Sequence, residues 1–369
     1  MIDNVQELRE ALAGGATLPA SWYSDAAVLR REQDTIFRRT WQYAGRLDQV
    51  EEPGDWFTAV AGTIPVVVTR DRSGSVNAFV NVCRHRGHIV ATGAGHRETL
   101  QCPYHAWTYA LDGCLIGAPS SGDIEGFSKA DYPLHSVAVQ SWEGFLFVNL
   151  EPEPEPFAKA FERLVGRFTR FNLSNLAVAR TIEYDVRANW KLLFQNYSEC
   201  YHCGPVHPPL ARLTPPTSGE NDLTDGPFTG GFMVINEGHQ SLTMTGRSCG
   251  LMVGDLPEED LNRVYYYAIF PNMLLSLHPD YVMYHTLWPE APDRTRIFCS
   301  WLFHPDTLTD PSWDPEDGIQ FWDMTNRQDW HICEQSQLGV QSRVYQPGPY
   351  SKREALSVQF DREVLKALG

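Results

Sequence analysis

Two half-motifs, Cys83-Arg84-His85 and Cys102-Pro103-Tyr104-His105, each place one thiolate and one imidazole where a tight turn can bring them to a common metal. Two soft and two borderline ligands suit one tetrahedral zinc. They equally suit an iron–sulfur pair, with both cysteines on one iron and both histidines on the other. A second constellation lies downstream: Glu199-Cys200-Tyr201-His202, then His207, and much later Asp329. Two imidazoles and one carboxylate form a facial triad that holds iron(II) and leaves positions open for oxygen and substrate.

The spacing C-x-H…C-x-x-H, inside CRHRG and CPYHAWTY, resembles the two-iron, two-sulfur Rieske motif. With the triad behind it, the chain resembles the oxygenase component (alpha subunit) of the Rieske non-haem iron oxygenases over nearly its whole length. The resemblance implies one 2Fe-2S cluster on Cys83, His85, Cys102 and His105, and one mononuclear Fe(II) on His202, His207 and Asp329. Asp323 competes for the carboxylate role, but N-R-Q-D-W-x-x-x-E matches the family pattern at Asp329. In that family an acid at the position of Glu199 lies between the mononuclear iron and a cluster histidine of the neighbouring subunit. A homotrimer with electron transfer between adjacent chains is therefore implied, with Glu199 as a catalytic bridge. Ala106 stands where the family more often has Gly; one methyl is expected to weaken nothing. His88 and His96 fall outside the spacing and read as polar loop residues, while Tyr104 and Trp107 read as shields for the cluster.

The elements that must position these groups can be read coarsely. The expected fold is α+β, with an N-terminal all-β Rieske iron–sulfur domain and a C-terminal catalytic domain whose antiparallel sheet is covered by helices. Residues 1–40 read as a helical segment packing on the catalytic domain, with Ser24-Asp25 capping a helix to about Thr40. Residues 41–150 break into short β-prone runs between turn signals. EPEPEP at 151–156 reads as an extended joint opening the catalytic domain, 151–369. There, FAKAFERLVGRFTRF reads as a helix, and so does KLLFQNYSECYHC, ended by Gly204-Pro205, which puts Glu199 and His202 on one face. Residues 211–250 read as irregular loops, with His239 and Met233 as weak cavity candidates. Three strand-like runs come next, offering Tyr265, Phe270, Leu275, Leu277, Tyr284 and His285 as cavity candidates whose facing depends on register. A long helix begins near Pro315 or Asp317 and carries Asp329.

Composition narrows the partners. Of 369 residues, 46 are acidic and 30 basic, a net charge of −16 that argues against nucleic acid and anionic membrane. No apolar run approaches the roughly 20 residues that span a bilayer. The polar, acidic N-terminus does not look like a signal peptide, so a cytoplasmic location is expected. A reducing cytosol would keep Cys114, Cys200, Cys203, Cys249, Cys299 and Cys333 as thiols, and Cys200 and Cys203 read as structural rather than ligating.

No Gly-x-Gly-x-x-Gly fingerprint supplies a nucleotide site. Electrons are therefore expected from NAD(P)H through a separate flavin and iron–sulfur reductase or ferredoxin. NWKLLFQNYSECYHCGPVHP and the short catalytic domain look like the homotrimeric family members acting on quaternary ammonium compounds. These hydroxylate an N-methyl group, and the product collapses to formaldehyde and a demethylated amine. Hydroxylation or dihydroxylation of an aromatic ring or acid is the rival; a cation predicts aromatic faces above the iron, an aromatic acid an Arg or His. A Rieske electron-transfer protein would leave the triad without work, as would a structural zinc protein.

Overall fold

The computed structural model describes residues 5–369; residues 1–4 of the expected N-terminal helical segment lie outside the described residues. The chain divides into two compact units, one over Phe37–Val165, the other over the residues up to Ile36 together with Gly166–Gly369.

In the Phe37–Val165 unit, seven antiparallel strands lie in the order Gln42–Arg46, Phe145–Asn149, Ser136–Trp142, Val76–Val80, Ile64–Arg70, Asp55–Ala61 and Ala94–His96. A smaller sheet joins Thr99–Gln101, Thr108–Ala110 and Leu115–Gly117. Strand alternation divides the core in two. Val66 and Val68 pack with Phe57, Ala78 and Leu146. Val67 belongs to the other cluster, with Phe79, Cys83, Cys102, Trp107 and Tyr109. Two of the four candidate cluster ligands are thus core residues of this domain.

The stretch after the Pro-Glu joint stays with this unit as far as Val165. Phe157 and Phe161 stack at 4.1 Å, and Phe161 lies 4.9 Å from Phe147. The long helix expected from FAKAFERLVGRFTRF is confined to Phe157–Ala160. Aromatic packing fixes that first turn, and Gly166, at φ +76°, turns the chain out of helical geometry.

The other unit is built on seven antiparallel strands in the order Ala177–Val186, Arg294–Phe303, Val282–Ala291, Met273–Leu277, Arg263–Ile269, Phe228–Val234 and Glu220–Leu223. The last two occupy the stretch expected to be irregular; cross-strand pairing, such as Gly231 opposite Tyr266, overrides its Gly- and Thr-rich composition. The helix Pro315–Val340 starts at Asp314, whose carboxylate accepts from the Glu316 N–H, with Pro315 in the first turn. The helix Trp190–Tyr197 is capped by Asn189 and packs against both Pro315–Val340 and Ala355–Ala367. Beneath it, Lys191 donates to Glu32 in a fully buried ion pair, and Glu32 also accepts from Trp190 Nε1 at 2.8 Å.

The N-terminal segment lies on this unit: Arg9 donates to the Leu365 carbonyl at 3.0 Å, and Leu8 and Leu12 are buried. Asp25 caps Ala26–Glu32 as expected, but the helix gives way to a π-helical turn over Gln33–Phe37 rather than reaching Thr40. Among the described residues no helix is long and apolar enough to cross a membrane.

Candidate metal centres

The two cluster half-motifs fold into matching turns. The Cys83 N–H donates to the His88 carbonyl, and the Gly87 N–H to the Cys83 carbonyl. Cys102 repeats both bonds with Trp107 and Ala106. Gly87 and Ala106 occupy the same place and both have left-handed backbone, φ +72° and +57°. The missing glycine is therefore not neutral: a Cβ in this region costs roughly 1–2 kcal/mol, and the expectation that one methyl weakens nothing is corrected.

The turns direct their ligands in pairs. Cys83 and Cys102 are buried in side-chain contact, and the His85 and His105 rings lie 4.6 Å apart nearer the surface. Among the described residues, the four do not form a group converging within 4.8 Å, as a single tetrahedral zinc would require. Paired thiolates and paired imidazoles fit a two-iron cluster with a different ligand type on each iron. Trp107 stacks on His85 at 4.9 Å, Tyr104 lies 3.8 Å from His105, and the Tyr109 hydroxyl sits 3.3 Å from Cys83 Sγ. His88 and His96 are engaged elsewhere, with the Ile89 carbonyl and Asp55.

The second site gathers three distant parts of the chain. The helix expected through KLLFQNYSECYHC ends at Tyr197, so Glu199 and His202 do not meet on a helical face. Ser198 closes the helix by donating to the Phe194 carbonyl. Glu199 then accepts from the Tyr201 and His202 N–H groups, bending the chain so that His202 precedes the short helix Cys203–Val206. Gly204-Pro205 lies inside that helix rather than ending one, and His207 precedes Pro208–Leu213. Asp329 comes from Pro315–Val340.

Nε2 of His207 and of His202 lie 2.8 and 3.2 Å from Asp329 Oδ1. Their opposite nitrogens are held from behind, His202 Nδ1 by Glu199 at 2.6 Å and His207 Nδ1 by Gln328 at 2.7 Å. With Nδ1–H donating outward, both Nε2 atoms are left to ligate, which is how outer hydrogen bonds orient metal-binding histidines. Burial opposes protonation of His202, yet Asp329 and Glu199 outweigh it and raise its pKa to about 10. Burial likewise opposes ionisation of Asp329, but the two histidines hold its carboxyl below the ordinary value. The site favours positive charge, and among the described residues it is the group of three ligand atoms converging within 4.8 Å. These donors fit a divalent iron with open positions. Asp323 is occupied by the Tyr184 hydroxyl and Arg327, not by the histidines.

The triad lines a cavity of about 350 Å³. None of the six strand residues offered from sequence lines it. Tyr266 and Ala268 do, because the register turns Tyr265 and Tyr267 to Asp260 and Asp222 instead. His285 is buried against Asn326, its pKa pushed down to about 4 by burial. Met233 lines the cavity and His239 does not. Trp322 and Thr325 were missed, although both precede Asp329 at helical spacing and share its face.

Cys200 and Cys203 are joined in a disulfide, correcting the expectation of thiols; the other six cysteines are free. The turn that presents His202 brings their Cα atoms to 5.0 Å, within bridging range, so local geometry decided what composition could not.

The chain matches the family described as "Ring hydroxylating alpha subunit (catalytic domain)" over residues 173–369 and the Rieske 2Fe-2S domain over residues 40–130. The glycine betaine monooxygenase oxygenase subunit of Chromohalobacter salexigens is 32% identical across 95% of this chain and 85% of its own. Its counterpart in Pseudomonas aeruginosa is 30% identical across 91% and 85%. A solved quaternary ammonium Rieske monooxygenase shares the fold, with a TM-score of 0.84 at 24% identity over 96% of both chains. Naphthalene 1,2-dioxygenase from Rhodococcus sp. shares it at 0.78 and 21%, over 100% of this chain and 99% of that one. Motif order, site geometry and the extent of these matches agree, and this chain belongs to the Rieske non-haem iron oxygenases as an oxygenase alpha subunit.

Proposed function

We propose that the protein is a terminal oxygenase that hydroxylates an N-methyl group of a quaternary ammonium or betaine-like compound, leaving formaldehyde and a demethylated amine. One observation carries this reading: Tyr266 and Trp322, their rings 6.2 Å apart, stand in the cavity that the triad lines. Aromatic faces attract a desolvated cation; Arg353, the residue type expected for an aromatic acid, lines the cavity too. The similarity to two glycine betaine monooxygenase subunits supports the same substrate class. Iron(II) on His202, His207 and Asp329 would supply dioxygen activation. Tyr266 and Trp322 hold the cation beside it, while the Glu199 and Gln328 hydrogen bonds keep both imidazoles oriented.

Electrons come from NAD(P)H through a flavin and iron–sulfur reductase or ferredoxin, since the sequence offers no nucleotide fingerprint. A cytoplasmic homotrimer, with each cluster serving the iron of the next chain, fits the family to which the protein belongs. Glu199 would then join His202 to His85 or His105 of the neighbouring chain. Glu199→Gln is expected to keep cluster and iron contents while largely abolishing turnover; normal steady-state turnover would remove the bridge.

The function is tested by supplying reductase and NAD(P)H with glycine betaine and measuring formaldehyde. Hydroxylated product from aromatic compounds, with no formaldehyde from any quaternary ammonium compound, would move the assignment to ring hydroxylation.

A further inference from the structure

The cavity carries more charge than metal ligation uses. Glu199 and Asp329 are engaged by the imidazoles. Lys352 and Arg353 line the same cavity, and among the described residues neither is in an ion pair. Nor do they hold the local fold: Ser351 and Glu354 fix that turn by mutual capping, with the Ser351 N–H donating to Glu354 at 2.8 Å. Leu356, buried in the cavity wall, anchors the first turn of the helix Ala355–Ala367. The Arg353 guanidinium lies 5.8 Å above the Tyr201 ring, another cavity residue. In a chain of net charge −16, two exposed cations at the edge of a substrate cavity, in no ion pair among the described residues, offer an anion a site. Aromatic faces cannot be that partner's site, because the ring quadrupole that attracts a cation repels an anion.

We propose that Lys352 and Arg353 receive the carboxylate of a zwitterionic substrate whose quaternary nitrogen rests on Tyr266 and Trp322. This rests on the function proposed above and narrows it, to trimethylammonium acids over trimethylammonium alcohols. Glu220 also lines the cavity. If it instead held the substrate's cation and the two basic residues were mere surface charge, acids and alcohols would respond alike to their removal.

The test compares holoenzyme and a Lys352→Met, Arg353→Gln variant on glycine betaine, carnitine and choline, reading KM and kcat from formaldehyde release with reductase supplied. The KM of both acids should rise about tenfold or more, as expected for losing hydrogen bonds to a charged group. The choline KM should not rise, because losing two cations from the wall only relieves repulsion of its ammonium, so the acid-to-choline ratio of kcat/KM should fall about tenfold or more. Lys352→Arg alone should keep most of the acid preference, guarding against a merely unfolded double variant. Equal shifts for acids and choline, or none, overturn the assignment. So does a wild-type enzyme that uses choline more efficiently than either acid. If the wild type releases formaldehyde from none of the three, the function beneath the inference fails, and the inference with it.

Discussion

The two metal centres are presented in opposite ways. The candidate cluster ligands come from two copies of one turn, each stabilised by its own backbone bonds and seated on one β core. The iron ligands come from a bend after one helix, the start of another and the middle of a third. Gln328 ties the second of those pieces to the third through His207, while the Lys191–Glu32 pair and Asp361 tie the first helix to the rest of its unit. A local site is robust to remote change; a site assembled from distant elements inherits the stability of everything that holds those elements.

The sharpest way to break the contrast is Asp329→Ala. Mononuclear iron and turnover should be lost while the Rieske absorbance stays; unchanged iron content would return the carboxylate role to Asp323. Next is Lys191→Ala, which leaves Glu32 buried without its cation. Removing one partner of a buried pair costs roughly 3–5 kcal/mol. Urea unfolding should show that loss in the catalytic unit with the cluster signal little moved; a shift common to both signals would deny the separation.

A third test uses pH. Burial raises the Asp361 carboxyl to about 7, against the pull of Tyr350, Gln195 and Lys191. Its unfolded value lies near about 3.9. Between those values the folded chain holds a proton that the unfolded chain has released, so this group's contribution to stability falls as pH rises through that window. Asp361→Asn should flatten the decline in melting temperature from about pH 4 to 7; an unchanged slope would show that Asp361 does not cause it. The smallest effect belongs to the cluster side. Ala106→Gly relieves the left-handed backbone and should raise stability by about 1 kcal/mol, read as a higher melting temperature of the cluster absorbance with iron-site properties untouched.

Legibility followed the same division. The paired turns that carry Cys83, His85, Cys102 and His105 were readable because their spacing is itself the turn. His202, His207 and Asp329 were readable as residue types, but the bend joining Glu199 to His202 was not, since it depends on Ser198 and Glu199 caps that compete with helix continuation. Trp322 and Thr325 could have been found by moving back along the helix from Asp329. Tyr266 could not, because a run of three tyrosines gives no sign of which one faces the cavity until the neighbouring strands fix the register.

By itself the sequence determined the ligand chemistry and the order of the two metal centres, because these depend on residue type and short-range spacing. Only the tertiary structure decided which faces meet: the cavity wall of Tyr266 and Trp322, the disulfide between Cys200 and Cys203, and the convergence of Asp329 on two imidazoles. The cavity wall and the convergence of Asp329 depend on strand register and helix packing, set by contacts between residues far apart in the chain, and the disulfide on a local bend that residue types alone do not reveal.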